Sequence, residues 1–263
     1  MKLTNENYFS PENNLTYMSA SQFKSFRRCE SAALAELRGE HKREVTDALL
    51  IGSYVDAHFE GTLDIFKAQH PEIFTRSGEL KAQYRHAEYM IERAGRDELF
   101  MQYMSGQKQV IFTGEISGIP FKIKVDSYHA EKAIVDLKTV KDFKSIWNPD
   151  TQQREHFTQF WGYDIQGAVY REIIRQNTGD TLPFFIAAIT KEKPEPDLQV
   201  YWMPDRMLDD ALGEVQRLAV RFQKIKDGAL EPARCGDCPW CRFTKVLRKP
   251  LDITEELEVY DVE

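Results

Sequence analysis

In the stretch VDSYHAEKAIVDLKT, residues 125–139, Asp126 is followed ten positions later by Asp136, and Asp136 by Lys138. Strand alternation puts Lys122, Lys124 and Asp126 on one face and Ile119, Phe121, Ile123 and Val125 on the other. By the same rule Asp136 and Lys138 share a face of AIVDLKTV. Two carboxylates aimed at one point repel each other unless a cation sits between them. All-oxygen ligands suit a hard ion, Mg²⁺ or Mn²⁺, which keeps several waters and takes phosphate oxygens as further ligands. A lysine on the same face can orient or deprotonate the attacking water, or offset charge on the phosphate. Asp, then Asp-x-Lys, is therefore a minimal kit for hydrolysing a phosphodiester. Asp-x-Lys alone is common on solvated strand edges; the aspartate of the preceding strand lifts the set above that background.

The elements around this kit are legible from periodicity. Residues 19–38 read as a helix with Ser19 as N-cap and Gln22 completing a capping box. Residues 47–60 read as a second helix, and its interior Gly52 implies close packing or a site. Residues 79–104 are helical by composition. Strands near 109–117 and 119–128 form a hairpin turning at Gly118, and KAIVDLKTV is a third strand. A long helix is expected over 155–176, a buried strand at PFFIAAITK, a partner strand at LQVYWM, and a last helix over 205–227. The mixture predicts an α/β (α+β) fold with a mixed central sheet flanked by helices. We expect one domain over 1–263: a core at about 105–203, helices 16–104 and the segment 204–245 packed on it, and an acidic tail at 246–263. On the helix, Gln159, Tyr163, Gln166 and Tyr170 fall on one stripe. Tyr163 reads as a half-buried core residue, whereas a Gln–Tyr pair facing a metal could bind phosphate or orient a DNA strand.

Asp126, then Asp136-Leu137-Lys138, then Gln166-x-x-x-Tyr170 resembles the PD-(D/E)XK nuclease superfamily in its RecB/RecE/lambda-exonuclease branch, with phage and prophage RecE-like exonucleases nearest. MSASQFKSF and LLIGSYVDA resemble the helices that open that domain, so the likeness spans roughly residues 16–245. It implies that Asp126, Asp136 and the Leu137 carbonyl ligate the metal, that Lys138 is the catalytic lysine, and that Gln166 and Tyr170 contact DNA near the scissile phosphate. Many RecB-type members carry Gly-x-x-x-His, whereas here Gly52-x-x-x leads to Asp56, with His58 two residues on. Positions two apart on a helix differ by about 200°, so only one can face the site; Asp56 keeps the spacing and is preferred. Lys122 and Lys124, flanking Asp126 on its own face, are candidate phosphate contacts, as is Lys191 at a strand end; Glu115 reads as a solvated strand residue.

Cys235-x-x-Cys238-x-x-Cys241 with Cys29 as a distant fourth reads as a four-thiolate metal site. The order, one cysteine before the nuclease motifs and three after, resembles the iron–sulfur nucleases of this superfamily and implies a structural [4Fe–4S] cluster. The last spacing is shorter than in that group, which leaves Zn²⁺ or free thiols open.

A net charge of −7 argues against a passive nucleic-acid coat but leaves room for an enzyme with a local basic groove. No apolar run approaches the roughly 18 residues of a membrane span, and MKLTNENYFSPENN lacks the apolar core of a signal peptide, so a cytoplasmic protein is expected. The resemblance implies an exonuclease acting on duplex DNA ends, 5′ to 3′, beside a single-strand annealing protein; lambda-type relatives form rings around DNA, and whether this chain forms a homo-oligomer is left open by its residues. Two other readings fit the same residues: an endonuclease of this fold, and a catalytically inactive DNA- or partner-binding module.

Overall fold

The structure is a computed structural model and describes residues 3–254 apart from 43, 150, 248, 249 and 251. Most of the expected acidic tail lies outside the described residues. The N-terminal part is helical: α1 (Pro11–Thr16), α2 (Ala20–Arg28), α3 (Glu30–Leu37), α4 (Asp47–Glu60), α5 (Leu63–Gln69), α6 (Ala82–Gly95) and α7 (Glu98–Tyr103). Strands β1 (Val110–Ile116) and β2 (Ile119–Val125) pair as a hairpin, followed by β3 (Ser127–His129), β4 (Ala133–Val140) and a second hairpin of β5 (Ile146–Asn148) and β6 (Gln153–Glu155). Then come α8 (Phe157–Phe160), α9 (Tyr163–Thr178), β7 (Phe184–Thr190), β8 (Leu198–Met203), α10 (Asp205–Lys226) and α11 (Pro239–Phe243).

The central sheet has the order β3-β4-β7-β8. β4 and β7 run parallel, which requires a crossover, and α9 supplies it; the outer pairs are antiparallel. Strand alternation splits β4 between two cores. Ile134 and Val140 pack with residues of α2, α9 and α10, while Val135 and Leu137 pack with residues of α4, α6 and α7. This is the mixed sheet flanked by helices that the sequence predicts.

Three expected helices are interrupted. The 19–38 helix breaks at Cys29, whose extended backbone (φ −163°, ψ 108°) ends α2 and starts α3. The Ser19 hydroxyl accepts from the Gln22 amide, but the Gln22 side chain donates to the Asn14 carbonyl, so the capping box is only half formed. The 79–104 helix stops at Gly95 and restarts at Glu98, because Asp97 caps a new N-terminus by accepting from the Phe100 amide at 2.9 Å. The 155–176 helix begins only at Tyr163, after Gly162 in a left-handed conformation (φ 62°). The left-handed turn favours glycine, and a Cβ there would also lie 2.9 Å from Cδ of the flexible Lys24 side chain. Gln159 therefore lies on α8, off the stripe that Tyr163, Gln166 and Tyr170 form. The expected strand 119–128 is divided as well: β2 ends at Val125, β3 starts at Ser127 in a different sheet, and Asp126 is the single residue between them.

Candidate active site

The β3–β4 ladder pairs Ser127 with Val135, so Asp126 and Asp136 face each other one step beyond its last pair. There β4 loses its β3 partner, and the Asp126 side chain takes over, its Oδ2 accepting from the Leu137 amide at 2.9 Å. The other oxygen, Oδ1, accepts from Gln109 Nε2 at 3.2 Å. A carboxylate that substitutes for a missing strand neighbour is fixed in direction.

Asp136 is buried, and its Oδ1 accepts from Gln166 Nε2 at 2.6 Å. Its Oδ2 forms an ion pair with Lys138, and the Lys138 ammonium also donates to the Leu137 carbonyl at 3.2 Å. The ammonium thus sits on two oxygens that the resemblance assigns to a metal. Burial pushes the Asp136 carboxyl up to about 6, against the opposing pull of Lys138. Burial disfavours the Lys138 charge, but Asp136 and Asp126 outweigh it and hold its pKa above the ordinary lysine value.

One turn of α9 after Gln166, Tyr170 donates to the Lys124 carbonyl at 2.9 Å, and Gln166 Nε2 lies 3.3 Å from its hydroxyl. The pair ties β4 to the end of β2. Tyr163 takes part too: the ammonium groups of Lys138 and Lys24 lie 5.3 and 5.1 Å from its ring centre. Lys24 reaches in from α2 and donates to the Trp161 carbonyl at 3.3 Å. Burial, and then the like charge of Lys138, bring its pKa down to about 8.

Helix α4 closes the remaining side. Gly52 lets it approach β4, since a Cβ there would stand 3.0 Å from Thr139 Oγ1. One turn later Asp56, and one more turn on Glu60, line a cleft with Asp126, Leu137 and Gln109. Burial, and next the Asp126 charge, raise the Asp56 pKa well above the carboxylate range; Glu60 is raised mainly by burial. His58 is exposed on the other side of the helix, its ring edge-on to Phe59. Four carboxylates thus gather with two lysines as counter-charges, and that donor set fits a hard divalent cation.

The PDDEXK-like domain of unknown function matches residues 19–244. The chain belongs to that family. A solved structure of a candidate exonuclease from Eubacterium rectale is 49% identical over 97% of this chain and 98% of that one, with a TM-score of 0.92. Another solved structure, SSO0001, covers 85% of this chain and 94% of that one at 14% identity and a TM-score of 0.33, an overlap that says nothing of activity. No curated protein matches.

Within the PDDEXK-like frame, the three lysines expected to meet DNA part company. Lys122 is buried, because residues 3–18 lie over β2 and join its edge through Met18. Its ammonium donates to the Tyr8 carbonyl and to Asn14 Oδ1, so it is an internal strut out of reach of a polynucleotide. Lys124 is half-buried at the site's edge, 5.1 Å from the ring centre of the exposed Phe9. Lys191 donates to the Thr139 carbonyl at 3.1 Å, and burial lowers its pKa. Lys24, Glu60 and Gln109 escape sequence reading: Lys24 and Glu60 lie on the two opening helices and Gln109 just before β1, and only tertiary packing brings them to the carboxylates. Glu60 had one signal, its i+4 spacing from Asp56.

At the opposite end of α2 the four cysteines converge, with all four Sγ atoms within 4.8 Å of one another, so this group can hold a metal. Cys29 and Cys241 are buried and Cys235 is exposed. Among the described residues no helix is long and apolar enough to cross a membrane.

Proposed function

We propose that this chain is a divalent-metal-dependent deoxyribonuclease of RecE-like type, digesting duplex DNA from its ends, 5′ to 3′, and leaving single strands for an annealing partner. The observation that carries the reading is the convergence of Asp126, Asp136 and the Leu137 carbonyl beside the Lys138 ammonium. Asp126, Asp136, the Leu137 carbonyl and Asp56 would hold Mg²⁺ or Mn²⁺, which when bound would supply phosphate polarisation and water activation.

The chain's own groups do the rest. Gln166 holds Asp136 in register through its amide, and Tyr170 braces Gln166 against the β2 end. Lys138 keeps its proton beside Asp136 and can orient the nucleophile or offset phosphate charge in the transition state. Lys24 adds a second amine close to Lys138, with a pKa that burial and the Lys138 charge bring down to about 8. The exonuclease assignment of the Eubacterium rectale neighbour supports end-directed attack.

Digestion of linear duplex in Mg²⁺, with a covalently closed circle alongside, tests the reading. The wild-type chain should degrade the linear form and spare the circle, and Lys138→Ala should lose about a hundredfold or more. Undiminished digestion by the variant would remove the lysine from the mechanism. Equal cutting of the circle would make the protein an endonuclease of the same fold, and digestion of neither a binding module.

A further inference from the structure

The four-cysteine group lies apart from the phosphodiester site. We propose that Cys29, Cys235, Cys238 and Cys241 hold one tetrahedral metal ion, zinc by the softness of the ligands, and not the four-iron cluster implied by the order of the cysteines along the chain. The argument is one of distance. Four thiolates on a single ion at about 2.3 Å stand about 3.8 Å apart at the corners of a tetrahedron. In a cubane each thiolate binds its own iron, which spreads the sulfurs to roughly 6.5 Å. Here Cys29 Sγ lies 3.6 Å from Cys241 Sγ and 3.8 Å from Cys238 Sγ, and Cys235 Sγ lies 3.9 Å from Cys241 Sγ. No pair exceeds 4.8 Å. The space between the sulfurs suits one ion.

Local backbone supports compact thiolates. The Cys238 amide donates to Cys235 Sγ at 3.4 Å, and the Cys241 amide to Cys238 Sγ at 3.3 Å, hydrogen bonds of the kind that fix the direction of metal-binding sulfurs. The break between α2 and α3 at Cys29 has the same logic, since an extended residue there interrupts a sequence otherwise suited to one helix. Around the thiols, the Ala233 amide donates to Glu30 Oε2 at 2.7 Å, the Ser31 amide to the Ala233 carbonyl at 3.0 Å, and Trp240 Nε1 to Ser31 Oγ at 3.1 Å. An ion at this point clips the C-terminal segment to a residue 209 positions away (Cys238 to Cys29), and a clip across so long a loop has much chain entropy to remove. It also anchors the C-terminal end of α2, the helix that carries Lys24.

Anaerobically purified full-length protein, analysed for metals and acid-labile sulfide, tests this. One zinc ion per chain, no sulfide and no broad absorbance near about 400 nm is the expected result. Replacement by Co²⁺ should then give the intense visible bands of a tetrahedral tetrathiolate. Cys235→Ser, at the exposed ligand, should bring metal content from one ion per chain toward none and lower the Tm by several degrees, with a native circular dichroism spectrum below the transition. About four irons with matching sulfide per chain, or a metal-free protein with four titratable thiols, overturns the proposal.

Discussion

At the scale of single residues, the site is an electrostatic conflict settled by two contacts. Asp136 is buried with Gln166 on one oxygen and Lys138 on the other, and each contact restrains the carboxylate differently. Gln166→Leu keeps the shape but leaves Asp136 Oδ1 without its donor, which should cost about 1–3 kcal/mol of stability. Chemical denaturation should register that loss, and Mn²⁺ affinity should fall with it. Protonation gives a second check. The folded Asp136 carboxyl is raised to about 6, so between the ordinary carboxylate range and that value the folded chain binds a proton that the unfolded chain releases. The metal-free protein therefore loses stability as pH rises through this window. Cation binding needs the charged form, so the rise in Tm produced by Mn²⁺ should be small near about pH 5 and large above about pH 7. A Tm shift independent of pH would contradict the pairing of Asp136 with the cation.

At the scale of elements, the sheet end and two helices do the positioning. β4 hands its edge from β3 to the Asp126 side chain, and α4 comes close enough through Gly52 to add Asp56. Gly52→Ala places a methyl group against Thr139 Oγ1, and overpacking of this kind costs about 1–3 kcal/mol. Thr139→Ala in the same chain should recover most of that loss and restore Mn²⁺ affinity, a coupling that a double-mutant cycle measures. Additive effects would mean the helix is not held off by this contact. The elements also mark how far sequence reading reaches. Period-two alternation put Asp136 and Lys138 on one face, as the ion pair has them. It also put Lys122 on the solvent side, where residues 3–18 cover it. Alternation describes which face a side chain takes, not what a distant segment lays over that face. The breaks at Cys29 and Gly162 lie in segments whose residue pattern suits a continuous helix, so the extended backbone of the first and the left-handed backbone of the second left no mark in periodicity.

At the scale of the molecule, an acidic chain gathers four carboxylates and a few half-buried lysines at one end of a sheet. The spacing of Asp126, Asp136 and Lys138 made that end visible in the sequence because neighbouring strands convert short spacings into proximity. Lys24, Glu60 and Gln109 stayed hidden because their proximity comes from the packing of α2 and α4 and the approach to β1. The central claim is that Asp126, Asp136 and the Leu137 carbonyl together take a divalent cation. Anomalous diffraction from crystals soaked in Mn²⁺ measures it directly. A peak about 2.0–2.3 Å from an oxygen of each of those three groups is the predicted result. A well-ordered soaked crystal with no peak there, and Lys138 still seated on Asp136, would contradict it.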